Sequence, residues 1–446
     1  MPTAMFSIGR SGLTASRVSL ELTSQNIANA ANGDYSRRSL TQSEVVGGGM
    51  IGLNTADSFG GVRLSGIARA QSALVQRQAR DSASALASTA AELRGLSAAE
   101  TALERTALFD ALVSFEAALT RLESDPTAAP LRTVALESAR RLAGTFNTAN
   151  ETLANARRLT IGETEADVIT VNTLTDDLAR INRELVSARE GSAGKAALLD
   201  SRDAALRKLS DQLGITTSFS ADGTVEVSAT GTPPIALVTG GVNAALGLAV
   251  AADGTLAFTI SGAPFAPASG AMAGRAGALQ AKADLQGQLD SLAGDLITLV
   301  NSAQGAGHDL AGNPGQPVFS GTGAGNIAVV MAAGSGLATA PAGAPAGSRD
   351  AGNLAALLAG FAAETGPAAG ANTLLLQLSS RVASLELRRD SLRIVAASAE
   401  GELAREIGVD LDSEAANLVR LQQAFEANSR VIQVAANLFD TILALR

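Results

Sequence analysis

Two stretches at opposite ends of the chain decide the fold: residues 6–30, FSIGRSGLTASRVSLELTSQNIANA, and residues 411–442, LDSEAANLVRLQQAFEANSRVIQVAANLFDTI. In both stretches large apolar residues recur every seven positions. They are Phe6, Leu13, Leu20 and Ile27 in the first stretch, and Leu411, Leu418, Phe425, Ile432 and Phe439 in the second. A strict seven-residue period is typical of a coiled-coil seam, whereas a helix packed on a globular core follows a period of 3.6.

The positions three residues further along differ between the two ends. In the first stretch they are all small: Gly9, Ser16, Thr23 and Ala30. In the second they are Glu414, Leu421, Asn428, Ala435 and Ile442. We therefore predict that the terminal helices pair as a coiled coil, with large residues against small ones, each buried Leu, Ile or Phe contributing roughly 1.5–3 kcal/mol. Because isolated helices are marginal in water, the ends should become ordered only by pairing with each other or with neighbouring subunits. An ordinary amphipathic helix at each end is the alternative.

Composition limits the class of protein. Of the 446 residues 46% are hydrophobic, but only 3% are aromatic, with no Trp and one Tyr, which favours a core of small aliphatic side chains between helices. The net charge of -9 argues against nucleic acid as a partner. Cysteine is absent, which excludes disulfides and thiolate chemistry. Residues 1–25 lack the continuous apolar region of a secretion signal, and no uncharged apolar run reaches 18 residues, so no membrane insertion is expected.

The interior of the chain predicts a fold that is mainly α with a β insert. Helical patterns form a bundle of long helices: Ala68 to Glu123, Leu131 to Ala188 with an interruption near Gly162, Ala196 to Leu213, Ala278 to Val300, and Asn372 to Glu406. Between them, Ala-Asp-Gly-Thr occurs at residues 221–224 and again at 252–255. Asp-Gly between extended runs predicts hairpins in which both central residues take positive φ.

These patterns divide the chain into three parts. Residues 1–45 with 405–446 are predicted to form an inner coiled-coil domain of paired terminal helices. Residues 46–213 with 271–404 are predicted to form the helical bundle, and its Gly/Pro-rich stretch near 305–347 a loop or short hairpin with a strand from Ile327 to Met331. Residues 214–270 are predicted to form a small inserted β domain.

Motifs that could carry chemistry do not assemble an active site. His308 is the only histidine and lies in a Gly-rich stretch, so multi-histidine metal sites are excluded. Ser192 and Lys195 have the Ser-x-x-Lys spacing of some acyl enzymes, but no Lys-Thr-Gly follows. The glycines at 321, 323 and 325 have the wrong spacing for a dinucleotide site. We predict no enzyme activity and no cofactor.

Two pairs of acidic residues are further candidates for chemistry. The pairs are Asp176 with Asp177 and Asp200 with Asp203. Both pairs fall on the polar side of a predicted helix, where we expect the carboxylates to be solvated.

Further residues carry a resemblance to a known family. Asn26-Ile27-Ala28-Asn29 followed by Gly33-Asp34-Tyr35-Ser36-Arg37 resembles the Asn-Ile-(Ala/Ser)-Asn…Gly-Tyr-Ser-Arg signature of flagellar rod, hook and hook-associated proteins, with Asp34 inserted. The residues that match are Asn26, Asn29, Gly33, Tyr35, Ser36 and Arg37. We expect the asparagines to cap a helix end, Gly33 to take positive φ, and Tyr35 to anchor the chain as it leaves the seam.

Three other segments are similar to the family of the first hook-associated protein, at the hook–filament junction. The first comprises Val171-Asn172, Ile181-Asn182 and Asp200-Ser201-Arg202-Asp203. The second runs from Val300-Asn301 through Asn313-Pro314-Gly315 to Phe319, and the third from Gly408 through Leu418 to Phe425. The resemblance covers both ends and the helical body, but neither the β insert nor much of residues 60–160.

The resemblance implies a structural subunit that leaves the cell unfolded through the flagellar type III exporter and assembles outside it, on the flagellum. Its terminal helices would line the axial channel in a ring that joins hook to filament. Implied partners are further copies of the chain, the flagellar hook protein, the third hook-associated protein and an export chaperone. Phe425, Ile432 and Phe439 are the expected chaperone docking face, because an apolar stripe on a free helix fits a groove.

Two alternatives remain open from the sequence. One is another flagellar axial protein: a hook or rod protein, or the third hook-associated protein. The other is a cytoplasmic coiled-coil signalling protein. Long interior helices oppose the hook protein, which would be mostly β, and the signature at residues 26–37 opposes the third hook-associated protein.

Overall fold

The structure, a computed structural model, describes residues 2–45 and 60–444. The predicted start of the bundle at residue 46 falls outside the described residues. The helices are α1 (Pro2–Ala28), α2 (Ala73–Glu104), α3 (Leu108–Ser124), α4 (Ala129–Ser187), α5 (Ala193–Gln212), α6 (Ala271–Ala306), α7 (Gly352–Ala362), α8 (Pro367–Ile407) and α9 (Leu411–Ala444). The prediction of a mainly α fold with long terminal helices and a small β insert is confirmed.

Short strands occupy the connections between the helices. They are β1 (Arg38–Val45), β2 (Gly61–Arg69), β3 (Ile215–Phe219), β4 (Val225–Ala229), β5 (Gly231–Thr232), β6 (Ile235–Thr239), β7 (Val242–Asn243), β8 (Leu246–Val250), β9 (Leu256–Ile260), β10 (Ala263–Pro267), β11 (Gly307–His308), β12 (Phe319–Ser320), β13 (Ala328–Val329) and β14 (Ala340–Pro341). Strands β3 to β10 lie within the predicted insert. The antiparallel β1–β2 hairpin was not predicted.

Two of the predicted helical tracts are wrong in detail. The tract predicted from residue 68 begins inside β2, and its helix starts only at Ala73. It is also divided into α2 and α3 by a break at Ala107, whose φ is 52°. The interruption near Gly162 does not occur, since α4 runs unbroken for 59 residues. A glycine in a helix costs only about 1 kcal/mol relative to alanine, and Thr160 and Thr164 on either side of Gly162 are buried.

The Asp-Gly hairpins form, but with a different turn. Gly223 has a φ of 90° and Gly254 one of 76°, while the preceding aspartates keep negative φ. Each aspartate accepts a hydrogen bond from the backbone N–H two residues on, at 2.9 Å in both turns. This side-chain bond holds the aspartate in an ordinary conformation, so only the glycine becomes left-handed, as in a type I turn followed by a bulge.

The described chain divides into two compact units. The first comprises residues 1–86, 170–246 and 392–446, and the second residues 87–169 and 247–391. The strands of the insert are shared between these units, β3 to β7 in the first and β9 to β10 in the second. The three-part division predicted from the sequence does not coincide with these units and stays a prediction.

The first unit contains α1, α9, α5 and the β1–β2 hairpin, together with the antiparallel sheet β3-β4-β6-β7. Leucines of α5 and valines of that sheet are its buried core: Leu206, Leu209, Val225, Val227 and Val238. This unit carries every residue of the flagellar signature.

The second unit has a continuous apolar core between helices. Phe115 of α3 meets Phe319 and Phe361 edge-on, with ring centroids 6.0 and 5.7 Å away. Where α6 crosses α2, small residues bring the two backbones together: a Cβ added at Gly274 would lie 1.9 Å from the carbonyl oxygen of Ser88. The core is therefore built from aliphatic side chains and close helix crossings, as the low aromatic content predicts.

Candidate functional site

The flagellar signature folds into a polar junction centred on Asn26. This side chain is 1% exposed. Its Nδ2 donates to the carbonyl of Arg38 at 2.9 Å and to Oε1 of Glu414 at 3.2 Å. Its Oδ1 accepts from the Tyr35 hydroxyl at 2.8 Å and from the Arg38 N–H at 3.1 Å. An asparagine amide has two donor hydrogens and two acceptor lone pairs, so its hydrogen-bonding capacity is fully used.

The other signature residues surround this junction. Asn29 donates to the Gln25 carbonyl at 2.8 Å and so caps the last turn of α1. Burial raises the pKa of Tyr35, which keeps its hydroxyl protonated as a donor. Ser36 is buried. Arg37 acts through its backbone, whose N–H donates to the carbonyl of Ile407 at 2.8 Å, while its side chain is exposed.

The expectation for Gly33 is wrong. Its φ lies outside the left-handed region, and a Cβ added there would meet nothing within 4 Å. The inserted Asp34 stabilises the turn instead. Its N–H donates to the Asn32 side chain at 3.0 Å, and its carboxylate pairs with Arg207. With the turn held by these contacts, no left-handed residue is needed.

A buried ion network lies next to Asn26 and was not predicted. Arg38 pairs with Asp200 at 2.7 Å, and Arg69 pairs with Asp200 at 2.6 Å and with Asp203 at 2.8 Å. The expectation that these two aspartates are solvated is therefore wrong. The polar face of α5 that carries them faces inward, onto the β1–β2 hairpin, where Arg38 and Arg69 are direct cross-strand partners.

The network controls the charge of Asp203. Burial by itself would raise the pKa of this carboxyl, but the positive charges of Arg202 and Arg69 outweigh it and hold the pKa below the ordinary 3.8. Gln76 adds a hydrogen bond of 2.9 Å. Every oxygen that this carboxylate offers is bound to a fixed protein group, so it forms a structural contact and leaves no reactive group free. The sequence signal was the Asp-Ser-Arg-Asp motif, but its burial depends on an unpredicted hairpin.

The seam between α1 and α9 is antiparallel, and in its closest contacts small residues of α1 face larger side chains of α9. A Cβ added at Gly9 would lie 2.9 Å from Cγ1 of Ile432, and one at Gly12 2.6 Å from the Asn428 side chain. Asn428 also donates to Ser16 at 3.5 Å. Nearer the junction, the side chains of Thr23 and Asn417 meet at 3.4 Å. The companion positions of the heptad therefore bring the two helices together.

The large heptad residues flank this line of contact. Those that are half-buried are Leu13, Leu20, Ile27, Leu418, Leu421, Phe425 and Ile432. Those that remain exposed are Phe6 at 46%, Leu411 at 52%, Phe439 at 50% and Ile442 at 54%. Because glycine and serine let the two backbones approach, the bulkier side chains lie at the edges of the seam. Their predicted role as an interaction surface stays a prediction.

An apolar groove opens beside the seam, with a volume of about 740 Å³. Phe6 and Thr14 of α1, Val62 of β2, and Ala435 and Phe439 of α9 line it. The hairpin is fixed against α1 by a hydrogen bond from the Val62 N–H to Ser11 Oγ at 3.2 Å. The groove is open to solvent and suits an apolar side chain or helix face better than a small polar molecule.

The motifs rejected in the sequence have structural roles. Ser192 caps the start of α5, accepting from the Lys195 N–H at 3.1 Å, and the Lys195 ammonium pairs with Glu190. His308 accepts through Nδ1 from the Gly343 N–H at 3.2 Å. Within residues 2–45 and 60–444, no three His, Cys, Asp or Glu side chains are grouped so that they could hold a metal ion.

One part of the chain is apolar enough to cross a membrane by length and composition. Between Gly352 and Ala444, an 18-residue window reaches a mean hydropathy of 1.2 and is 33% buried. This criterion admits up to two charged residues, unlike the uncharged run sought in the sequence, and core helices of soluble proteins also meet it. The expectation of no membrane insertion stays a prediction.

Paired terminal helices, fixed to the β1–β2 hairpin and α5 by a buried polar junction with no free reactive group, are typical of a structural protein. Residues 96–319, half of the chain, match the family model described as the flagellar hook-associated protein FlgK helical domain. Residues 406–445 match that of the flagellar basal body rod FlgEFG protein C-terminal. The chain therefore belongs to the flagellar hook-associated protein FlgK family, and the resemblance seen in the sequence is confirmed.

Two known proteins are similar to part of this chain. Flagellar hook-associated protein 1 of Bacillus subtilis is 26% identical over 234 residues, which cover 49% of this chain and 46% of that protein. The match thus spans about half the length of that relative. The solved structure of the flagellar hook junction protein FlgK from Burkholderia pseudomallei is 21% identical, with a TM-score of 0.49, over 55% of this chain and 46% of that one. The family assignment rests on the helical-domain match.

Proposed function

We propose that this chain is a structural subunit of the bacterial flagellum that joins the hook to the filament. The observation that carries the proposal is the FlgK helical-domain match over residues 96–319. The C-terminal match, shared with rod proteins, supports placement in the flagellar axis. The signature at residues 26–37 supports it from the other end, since it forms the polar junction at the base of the terminal pair.

The proposed assembly is a ring of identical subunits held by their terminal helices. Pairing of α1 with α9 leaves Phe6, Leu411, Phe439 and Ile442 about half exposed. Two of them, Phe6 and Phe439, line one groove, and apolar side chains that lie together on a folded surface mark an interface. Neighbouring copies that cover these side chains would each gain roughly 1 kcal/mol per half-buried residue. The same surface would face the hook protein on one side and the third hook-associated protein on the other.

The chain is proposed to leave the cell unfolded through the flagellar type III exporter and to assemble outside. An export chaperone would bind α9 along Phe425, Ile432 and Phe439. In the folded chain Ile432 packs against Gly9. A chaperone on this face must therefore compete with α1, so it would bind α9 before the terminal helices pair.

Membership in the FlgK family separates this proposal from its rivals. A rod or hook protein would share the C-terminal match but not the helical-domain match. A cytoplasmic signalling coiled coil would be expected to show neither of these family matches. Cell fractionation separates the last case directly, because the proposed function requires the chain in sheared flagella and the signalling function requires it in the cytosol.

The decisive experiment is deletion of residues 411–446, with electron microscopy of the hook–basal bodies. We expect hooks without filaments and no swimming, because α1 loses its partner while the second unit keeps its own core. The undeleted gene, supplied in the same strain, is the control. Normal filaments on the deletion strain would overturn the proposal.

Phe425 allows a finer test of the chaperone face. Phe425→Asp should weaken both chaperone binding and filament assembly, because a carboxylate would have to be desolvated in either interface. Phe425→Leu keeps an apolar side chain there and should leave both nearly unchanged. Calorimetric titration with the chaperone and a swimming assay measure the two effects, and equal chaperone affinity for the two variants would refute the docking face.

A further inference from the structure

A repeated contact links helices to strands in this protein. Four helical asparagines, Asn26, Asn172, Asn182 and Asn301, each bind one backbone residue through both ends of the side-chain amide. The residues bound are Arg38 at 2.9 and 3.1 Å, Leu246 at 2.9 and 2.8 Å, Val225 at 2.8 and 2.9 Å, and Phe319 at 2.8 and 3.1 Å. In every case the bound residue is the first of a strand: β1, β8, β4 or β12.

The chemistry explains the repetition. A carboxamide presents an acceptor oxygen and a donor N–H side by side, as a neighbouring strand does. The first residue of a strand has a backbone N–H and C=O that need partners once buried. A helical asparagine supplies both and so fixes where the strand begins on the helix. We call this contact the asparagine clip.

Asn26 is a clip with an additional partner on another helix. Besides clipping Arg38, it donates to Oε1 of Glu414 in the first turn of α9. Glu414 is 6% exposed, and its other oxygen has no hydrogen-bond partner among residues 2–45 and 60–444. When α9 separates from α1, Nδ2 of Asn26 loses an acceptor and the clip on Arg38 weakens. The state of the terminal pair is thereby transmitted to the start of β1.

The other end of the contact reaches α5. The guanidinium of Arg38 lies over the Tyr35 ring, 4.7 Å from its centroid, and binds Asp200. Its cross-strand partner Arg69 binds Asp200 and Asp203. Where β1 begins therefore decides whether both arginines meet the aspartates of α5.

We propose that Asn26 is a coupling residue: it links the pairing of α1 with α9 to the seating of the β1–β2 hairpin on α5. This deepens the proposed function, on which it rests for its consequence. Neighbouring subunits that press the terminal helices together during assembly also fix the hairpin against α5. The chain then stiffens at the junction when, and only when, its terminal helices are paired.

The test uses the isolated full chain, which has no native cysteine. Gly9→Cys with Ile432→Cys introduces a disulfide across the seam, since a Cβ at residue 9 lies 2.9 Å from Cγ1 of Ile432, within the reach of a disulfide. The bond is about 25 Å along α1 from Asn26. Hydrogen exchange of the Arg38 amide, measured by NMR before and after oxidation, reports on the clip.

We expect oxidation to slow this exchange about tenfold, the effect of strengthening one ordinary hydrogen bond. Glu414→Ala removes the acceptor on α9 whether or not the helices are paired, so the clip on Arg38 stays weakened and oxidation should then have no effect. Glu414→Gln keeps an acceptor oxygen for Asn26, so the effect should return. Amides within α6 serve as the folding control and should exchange equally in all variants.

Two results would overturn the coupling: unchanged Arg38 exchange on oxidation of the parent chain, or equal slowing in Glu414→Ala. Loss of the effect in Glu414→Gln would do the same, and this near-isosteric variant keeps the proposal open to refutation if Glu414→Ala folds poorly. Because the measurement is made on single chains in solution, its failure leaves the proposed role at the hook–filament junction untouched.

Discussion

The crossing of α6 over α2 offers a sharp test of how the second unit is packed. Gly274 is buried at this crossing, and a Cβ there would lie 1.9 Å from the Ser88 oxygen and 2.9 Å from the Glu92 nitrogen, both backbone atoms of α2. Gly287 lies in the same helix, exposed, with nothing within 4 Å of an added Cβ. Substitution of either glycine by alanine is thus the same chemical change in two opposite environments.

The magnitudes follow from two opposing effects. Alanine is about 1 kcal/mol better than glycine in a helix interior, and this gain applies at both positions. At Gly274 the methyl group must move about 1.5 Å away from α2 to reach an ordinary contact, and overpacking of this kind costs typically 1–3 kcal/mol. We expect Gly274→Ala to lose up to roughly 2 kcal/mol and Gly287→Ala to gain up to about 1 kcal/mol, so their unfolding equilibria should differ by up to about a hundredfold.

The assay is chemical denaturation of the full chain, followed by circular dichroism, with the two variants and the parent compared at one pH. The midpoint should fall for Gly274→Ala and rise for Gly287→Ala, with little change in the denaturant slope. If both variants shift the midpoint in the same direction, helix propensity and not the close crossing controls this region, and the packing argument is refuted.

Three further predictions concern a carboxylate, a lysine and a glycine. The folded-state pKa of Asp203 is depressed, so the stabilisation that its carboxylate provides is present above about pH 4 and is lost as the pH falls through the folded value. The Asp203→Asn variant should therefore lose roughly 3 kcal/mol of folding stability at pH 7, and its urea midpoint should depend less on acid. An acid profile equal to that of the parent would contradict this. Burial lowers the pKa of Lys282 to about 8 from 10.5, so the folded chain binds that proton less tightly than the unfolded chain and gains stability as the pH rises from 8 to 10.5. The Lys282→Met variant should be more stable than the parent below pH 8, by up to roughly 3 kcal/mol at about 1.4 kcal/mol per pKa unit, and the difference should disappear at high pH. A difference that does not depend on pH would exclude the lysine charge as its cause. Gly9→Leu should push α1 away from Ile432 and abolish swimming, whereas a strain with Gly401→Leu, where an added Cβ meets nothing within 4 Å, should swim normally. The diameter of swarms on soft agar measures the effect. Normal swimming by both strains would refute the close contact of α1 and α9 at Gly9.

The heptad pattern predicted that the two ends of the chain pair with large residues against small ones, but it did not predict which large residues would stay exposed. Phe6 and Phe439 satisfy the seven-residue period and stay half exposed, while Gly9 lies against Ile432. A period in one sequence tells which residues share a face of one helix. It does not tell how near two helices come, because that distance depends on whether the smallest residues of each meet.

The junction residues show the same division. Asn26 stood out in the sequence, whereas the burial of Asp200 and Asp203 could not be foreseen. A polar helix face looks solvated until the element that covers it is known, and the β1–β2 hairpin that covers α5 gives no signal that distinguishes it from a helix start. Arg38 is one residue beyond the signature and is indistinguishable in sequence from Arg37, although only Arg38 turns its guanidinium inward.

The sequence by itself determined the mainly helical class, the β insert with its Asp-Gly turns, the pairing of the two ends and the family, because these depend on local period, turn chemistry and motif. The tertiary structure alone decided how closely the terminal helices approach at Gly9 and Ile432, that α4 continues through Gly162, and that two aspartates of α5 are buried against arginines. These features depend on contacts between residues far apart in the chain. The close approach of two helix backbones, or a hairpin that covers a polar helix face, outweighs the local preference of the sequence.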